Sequence, residues 1–195
     1  MSKALQEMTN EELWRLFPIM LTEHQHKWLT DFALEKELLM QCVGEKNIAR
    51  ISHIGSTAVP GLIAKPTVDI LLEITQGTDI EWLKTKLEKL GYLFSPQPNK
   101  PPPHMMFMKG YTPNGFSAKV FHLHVRYLGD WDEFYFRDYL IAHPEAADEY
   151  GRLKILLKER YEHDRDGYTS AKTDFVKTIT ILAHEEFLDK YATQY

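Results

Sequence analysis

The chain has 195 residues, 44% hydrophobic and 26% charged, the balance of a globular protein with a hydrophobic core. A formal net charge of -5 argues against a protein that binds duplex nucleic acid, because such a protein needs a basic surface. A single cysteine, Cys42, excludes an intrachain disulfide, and the sequence shows neither a signal-peptide core nor an apolar run of membrane-spanning length. We therefore expect a cytoplasmic protein that forms one domain over residues 1–195 and has no membrane partner.

Two helices are predicted before residue 44. Thr9 and Glu12 have the spacing of a capping box, which predicts a short helix that ends at Pro18. Thr22 is a candidate N-cap for a longer helix that extends to about Val43, because a glycine follows there.

Two strands are predicted next, on either side of a loop. Residues 50–54 indicate a short strand that leads into a turn at 55–57, and two prolines and a glycine make 58–66 a loop. Residues 67–74 have the strongest strand pattern in the chain. Alternation places four apolar residues on one face of this strand: Val68, Ile70, Leu72 and Ile74. The other face then carries Thr67, Asp69, Leu71 and Glu73.

The remaining pattern predicts one helix, a hairpin and a helical end. A helix follows from about residue 79 to 90, and five prolines make 96–103 an exposed loop. The remaining predicted elements are strands 105–108 and 119–126, which form a hairpin around the turn 112–115, and helices 131–142, 144–162 and 170–191. This order predicts an α+β (mixed α/β) fold: a central mixed sheet of about four to six strands flanked by helices, with a helical C-terminal third.

The turn at Gly55, Ser56 and Thr57 has the composition of a phosphate-binding turn. Glycine allows a phosphate to approach the backbone, and the hydroxyl and amide groups of Ser56 and Thr57 can donate to its oxygens. Asp69 follows within an otherwise apolar strand, where an unpaired carboxylate is costly. We therefore predict that this turn and Asp69 form one site, although an ordinary strand-ending turn has the same Gly-Ser pair.

A second polar group is predicted on the strand 119–126. Alternation places His122, His124 and Arg126 on one face of this strand. With Asp69, the two histidines have the composition of a site with two imidazoles and one carboxylate, which suits Zn, Mn or Fe better than Mg. Three other interpretations stay open: the histidines bind phosphate, one of them is a general base, or both are buried and satisfied by protein acceptors. Arg126 on the same face favours a ligand site.

These segments together resemble the GrpB family. The resemblance lies in residues 50–62 (RISHIGSTAVPGL), 64–66 (AKP), 68–70 (VDI), 122–125 (HLHV) and 136–140 (FRDYL), and in Tyr168, Thr169 and Lys172. It covers nearly the whole chain. It implies a nucleotidyltransferase-like fold and the binding of a nucleoside triphosphate or another phosphate-bearing small molecule.

Weaker candidates surround this predicted site. His53 is two residues before Gly55 and either reaches the same pocket or is a satisfied core histidine. Lys172 gains support from the family resemblance, and we expect it to bind phosphate beside Arg126. Lys154 and Lys158, four residues apart with Arg165 beyond them, are interpreted as a solvated helix face rather than as triphosphate ligands.

The apolar stripes of the C-terminal helices are interpreted as core. They are formed by Leu153, Leu156 and Leu157 in one helix and by Phe175, Ile179 and Leu182 in the last.

The metal-binding pattern departs from that of ordinary nucleotidyltransferases, which carry two carboxylates two residues apart on this strand. Leu71 occupies the second position here, and the Cα atom of Glu73 is expected about 13 Å from that of Asp69. Losing a metal ligand weakens two-metal catalysis.

Three functional hypotheses follow. In the first, Ser56 and Thr57 hold the phosphates of a nucleoside triphosphate, and Asp69, with or without His122 and His124, holds a divalent metal (Mg, Mn or Zn) during nucleotidyl or phosphoryl transfer. In the second, the chain is a non-catalytic nucleotide-binding or partner module on the same fold. In the third, Asp69 and the two histidines form a metal-dependent phosphohydrolase.

Overall fold

The computed structural model of the protein describes residues 3–192, so the outermost predicted domain limits lie outside the described part of the chain. Its strands are β1 (Ile48–Ile54), β2 (Val68–Ile74), β3 (Leu93–Ser95), β4 (Met105–Thr112) and β5 (Gly115–Tyr127). Its helices are α1 (Asn10–Leu16), α2 (Lys27–Val43), α3 (Ile80–Lys89), α4 (Asp132–Ala142), α5 (Pro144–Tyr161), α6 (Arg165–Ala171) and α7 (Thr173–Phe187). Short 3-10 turns lie at Leu5–Glu7, Glu45–Asn47 and Ser56–Ala58. Within residues 3–192, no helix is both long enough and apolar enough to cross a membrane.

The five strands form one mixed sheet in the order β1-β2-β5-β4-β3. The central pair, β2 and β5, is parallel, and the other neighbours are antiparallel. This confirms the predicted mixed α+β architecture, the hairpin formed by β4 and β5, and the helical C-terminal third. The short edge strand β3 follows α3 directly and was not predicted from the sequence.

One face of the sheet packs against α2 and α3. The predicted apolar face of β2 lies entirely in this core, together with Trp28 and Leu39 from α2 and Leu83 and Leu87 from α3. Asp79 caps α3, because its side chain accepts a hydrogen bond from the backbone N–H of Trp82. The alternation in 67–74 therefore specified which face of β2 is buried.

The opposite face of the sheet is polar. Parallel pairing aligns Asp69 with His122, Leu71 with His124 and Glu73 with Arg126, so the side chains of each pair share a face. The C-terminal helices α4 to α7 lie on this side, where Leu71 packs with Phe134. The candidate polar residues therefore lie at the boundary between the sheet and the C-terminal helices.

Glu73 is fully buried on this face and belongs to the structural framework. Its carboxylate accepts hydrogen bonds from the Arg50 guanidinium (2.8 Å) and from the backbone N–H of Gly129 (3.0 Å). Because both partners hold it in place, Glu73 is not available as a second carboxylate beside Asp69.

Several predicted boundaries were wrong. Helix α2 begins at Lys27, and Thr22 instead forms an isolated bridge with Ala64. The predicted last helix from residue 170 is two helices that meet at Lys172, and Asp164 provides the N-cap of the first. The predicted core stripe of α5 was wrong at Leu156, which is 63% exposed. The predicted core stripe of α7 was likewise wrong at Leu182, which is 40% exposed.

Candidate functional site

The end of β1 passes directly beside the carboxylate of Asp69. Ile54 pairs with Asp69 across the sheet, and Gly55 follows with a positive φ of 70°. A Cβ atom at Gly55 would lie 2.5 Å from Asp69 Oδ2, well inside a van der Waals contact. Glycine is therefore required here by both its backbone conformation and the closeness of the carboxylate.

Asp69 also contacts both histidines of β5. Its Oδ1 lies 3.2 Å from His122 Nδ1 and 3.8 Å from His124 Nε2. The other ring nitrogen of His122, Nε2, lies 2.7 Å from the hydroxyl of Tyr111. Because an ionised carboxylate only accepts, His122 Nδ1–H donates to Asp69, and Nε2 of the neutral ring accepts from the Tyr111 hydroxyl. Asp69, His122 and Tyr111 thus form one hydrogen-bonded group, and the His124 ring lies beside it.

Burial and hydrogen bonding set the ionisation of this group. Burial by itself would raise the pKa of Asp69, but the neighbouring His122 and His124 rings hold that pKa below its usual range. Burial lowers the pKa of His122 despite the neighbouring carboxylate. These directions agree with an ionised Asp69 and a neutral His122.

The predicted metal ligands Asp69, His122 and His124 therefore lie together, but as hydrogen-bonding partners. Within residues 3–192, no group of three or more His, Cys, Asp or Glu side chains is arranged to hold a metal ion. Both ring nitrogens of His122 already have protein partners, so a centre with three protein ligands requires these side chains to rearrange. A divalent metal at this site stays a prediction.

A group of positive side chains lies beside this carboxylate. Lys154 is buried, and its Nζ lies 3.2 Å from Ser56 Oγ and also donates to the carbonyl of Ile63. The interpretation of Lys154 as part of a solvated helix face was therefore wrong. The Ser56 hydroxyl of the predicted phosphate-binding turn faces this buried ammonium group.

Three further cations come from other elements. Lys65, from the loop before β2, and Lys172, between α6 and α7, have their Nζ atoms 5.7 and 4.6 Å from the ring centre of Tyr168. Arg165, at the start of α6, lies over the ring of Tyr111 at 5.9 Å. We call these four residues the cation cluster: Lys65, Lys154, Arg165 and Lys172.

The pKa values of the three lysines in the cluster are strongly lowered by burial and by their positive neighbours. Burial, followed by the charges of neighbouring cluster members, lowers the pKa of Lys65 to about 7 and that of Lys154 to about 7. Burial and Arg165 lower the pKa of Lys172 to about 8, although Asp69 acts in the opposite direction. Among the residues that the structure describes, no cluster member lies within ion-pairing distance of a carboxylate. The protonated lysines of the cluster therefore have no carboxylate partner, and their lowered pKa values leave Lys65 and Lys154 only partly charged at neutral pH.

Three predicted phosphate ligands have other roles in the structure. His53 faces the α2 side of the sheet, where it stacks on Phe32 and bonds to the Thr57 hydroxyl at 2.9 Å; burial lowers its pKa to about 4. That hydroxyl also donates to a backbone carbonyl and is buried, so the Thr57 side chain is not available to a phosphate. Arg126 forms a two-bond ion pair with Glu133, which neutralises its charge.

Sequence reasoning missed Lys65 and Tyr111, and it considered Lys154 and Arg165 only to set them aside. Lys65 lies in a segment that carries the family resemblance, and this was the one signal in its favour. The buried faces of α5 and α6 are not marked by a clear apolar period. Lys154 and Arg165 therefore could not be told from surface charges.

A sequence profile described as "GrpB protein" matches residues 18–181 of the chain. The chain is 40% identical over 153 residues to a UPF0157 protein of Pseudomonas aeruginosa, a match that covers 78% of this chain and 62% of that protein, so it spans less than two thirds of that relative. It is 34% identical over 164 residues to the glutamate-rich protein GrpB of Alkalihalophilus pseudofirmus, covering 83% of this chain and 93% of that protein.

A solved structure shows the same architecture. The crystal structure of the conserved protein GrpB from Enterococcus faecalis matches with a TM-score of 0.76 and 29% sequence identity. The match covers 86% of this chain and 99% of that chain. The overall architecture of the chain is therefore shared with an experimentally determined structure.

Proposed function

The chain belongs to the GrpB family, and from that premise we propose that it binds a nucleoside triphosphate, or another phosphate-bearing small molecule, at the cation cluster. We further propose that the fold is nucleotidyltransferase-like, that the protein acts in the cytoplasm, and that the bound phosphate chain undergoes nucleotidyl or phosphoryl transfer.

The uncompensated charge of the cation cluster carries this proposal. Burying an ion costs several kcal/mol unless an opposite charge lies close by, and three partly or fully buried lysines share this region with Asp69 as the nearby acid. A polyphosphate supplies three or four negative charges and would remove this cost. The hydroxyl of Tyr168, under two of the lysines, is buried and has no hydrogen-bond partner among the described residues, and a phosphate oxygen would satisfy it.

The neighbouring hydrogen-bonded group supplies what a transfer reaction needs. The cluster holds the leaving phosphates and stabilises the charge that develops on them, which is the main source of rate in phosphoryl transfer. Asp69 orients His122, and the imidazole of His124, partly exposed beside Asp69, is placed to accept the proton of an attacking hydroxyl. Oxygen–phosphorus bond formation then expels pyrophosphate or a nucleoside diphosphate.

One observation favours a second candidate function, a nucleotide-binding module without catalysis. The position of the second carboxylate is occupied by Leu71, which is fully buried, and Glu73 is held by Arg50 and Gly129. The site therefore has one carboxylate where ordinary nucleotidyltransferases have a pair. Binding without turnover would select this function.

Calorimetric titration of pyrophosphate and nucleoside triphosphates, each with and without Mg, Mn or Zn, tests the proposal. We expect Lys65→Met and Lys172→Met to weaken pyrophosphate binding at least tenfold, since each removes a charge that lies close to the phosphates. Lys158→Met, one helical turn from Lys154, is the matched control and should change affinity less than twofold. Equal weakening by all three variants, or no binding by the wild type at millimolar pyrophosphate, would refute the site.

Asp69→Asn separates the mechanisms. If the phosphates bind directly to the cluster, removing the nearby negative charge should tighten metal-free pyrophosphate binding while turnover of a triphosphate is lost. If Asp69 holds a bridging metal, the same change should weaken binding in Mg or Mn and leave metal-free binding unchanged.

A further inference from the structure

A second pocket opens beside Asp69. It has a volume of about 530 Å³, within the range of small-molecule sites, and none of the four cluster cations lines it. Its floor is the polar face of the sheet, and its walls are α4 and α7. We call it the acidic pocket; it is bounded by Asp69, His124, Asp132, Glu133, Val176 and Ile181.

The acidic pocket lies close to the cation cluster, both at the start of α7 and at Asp69. Val176 donates its backbone N–H to the carbonyl of Lys172, so these two residues lie one helical turn apart. Lys172 belongs to the cluster, while Val176 and Thr180, one turn further, line the pocket. Asp69 also lines the pocket, and its charge acts on Lys172. A ligand in the pocket would therefore lie near phosphates held by the cluster.

The pocket and the cation cluster have opposite charge. The pocket is lined by three carboxylates, those of Asp69, Asp132 and Glu133, against one lysine, Lys177. Two of these acids have protein partners as well, because Arg126 pairs with Glu133 and His184 Nε2 lies 2.8 Å from one oxygen of Asp132. The Asp132 side chain is nonetheless 73% exposed, so it can pair with a ligand cation. The pocket therefore repels phosphate and favours a cation.

The rest of the lining is apolar. Ile54, Phe136, Val176 and Ile181 contribute hydrophobic surface, and the Ile181 side chain is 60% exposed. A ligand that complements this pocket therefore combines a positive charge with an apolar body.

Building on the proposed transfer activity, we propose that the acidic pocket binds the acceptor, a cationic small molecule with an apolar body and a hydroxyl group. Its ammonium group pairs with Asp132, and its hydroxyl group faces Asp69 and His124. A protonated amine has no lone pair, so the hydroxyl oxygen forms the new bond to phosphorus. The bond from phosphorus to the leaving phosphate breaks, the leaving group stays in the cation cluster, and the hydroxyl proton passes to His124.

Titration of the nucleotide-free protein with 2-amino-1-phenylethanol tests the pocket, with neutral 1-phenylethanol and anionic mandelate as matched probes. We expect the amine to bind most tightly. Asp132→Asn should weaken amine binding about two- to fivefold, the value of a partly exposed ion pair, and leave 1-phenylethanol binding unchanged. Ile181→Trp, at an exposed position that tolerates the change, should fill the pocket and weaken amine binding at least tenfold. Glu185→Gln, an exposed control on α7, should have no effect.

Equal affinity for the amine and the neutral alcohol, or unchanged amine binding in both Asp132→Asn and Ile181→Trp, would overturn the acceptor pocket. Pyrophosphate titrations of the same samples separate this failure from that of the proposed function. If the wild type binds pyrophosphate but not the amine, the proposal of an acceptor pocket is refuted and the proposed function is not. Absent pyrophosphate binding in the wild type would remove the proposed function itself.

Discussion

Two groups of buried charges lie on opposite faces of the sheet, and they differ in how those charges are paired. On the α2 side, the carboxylate of Asp31 pairs with Lys119 at 2.7 Å, and that of Glu35 pairs with Lys109 at 2.7 Å. Glu35 also accepts a hydrogen bond from the buried hydroxyl of Tyr92. Each acid in this group therefore has a protein partner of opposite charge.

The cation cluster on the other face lacks such pairing. Its lysines share one nearby acid, Asp69, and that carboxylate is already hydrogen-bonded to His122. The α2 group stabilises the fold because the chain itself neutralises it. The cluster is costly to the fold by itself, so its charge is explained best by a ligand. The presence of buried charge therefore does not distinguish structure from function, whereas the pairing of that charge does.

The largest effect is expected in the paired group. Glu35→Ala removes one carboxylate and leaves the Tyr92 hydroxyl and the Lys109 ammonium without their partner, which should lower the free energy of unfolding by about 3–5 kcal/mol. Urea denaturation measures this change. Glu37→Ala, an exposed acid on the same helix, should stay within about 0.5 kcal/mol of the wild type. A loss below about 1 kcal/mol for Glu35→Ala would show that the two groups do not differ as argued.

Gly55→Ala tests how rigidly the ligand-binding side is held. The new Cβ would lie 2.5 Å from Asp69 Oδ2 at a positive φ, and we expect a loss of about 2–3 kcal/mol in thermal or urea unfolding. Gly61→Ala is the matched control, because Gly61 has a similar φ but open space around its Cβ position. It should lose only about 1 kcal/mol. Equal losses in the free energy of unfolding would mean that the Asp69 side chain moves away from the new Cβ atom at little cost.

The pH dependence of stability should reveal the unpaired lysines. The pKa of Lys65 falls from 10.5 to about 7 in the folded protein, so between these values the unfolded chain binds more protons. Linkage then makes the free energy of unfolding rise with pH across this window, by at most about 1.4 kcal/mol per pH unit for one lysine, less solvent screening. Urea titrations from pH 7 to 10 should show a smaller slope in Lys65→Met. An unchanged slope would show that burial does not disfavour the protonated form of Lys65.

The smallest effect is expected at an exposed ion pair. Glu81 and Lys84 lie 3.9 Å apart on α3, and the carboxylate side chain is 84% exposed. Glu81→Ala should change the free energy of unfolding by less than about 0.5 kcal/mol, because water already solvates both charges. A larger loss in the free energy of unfolding, measured by urea denaturation, would mean that exposed ion pairs stabilise this protein as much as buried ones.

Much of the site strand geometry followed from the sequence. Alternation placed Asp69 opposite the apolar face of β2, and it placed His122 and His124 together on β5. Alternation left His53 open between the pocket and the core, and the structure places its ring against Phe32 on the α2 side. Alternation also could not show that Arg126 is neutralised, because Glu133 comes from the helix that follows a turn.

The sequence by itself determined four of the five strands, most helices, the polar face of β2 and β5, and the family. These features follow from local periodicity and short motifs, which act over a few residues. The tertiary structure alone decided that Lys65, Lys154 and Arg165 gather with Lys172, and that an acidic pocket opens beside Asp69. Charges from separate elements meet only through long-range packing, and no local pattern records which of them will find a partner.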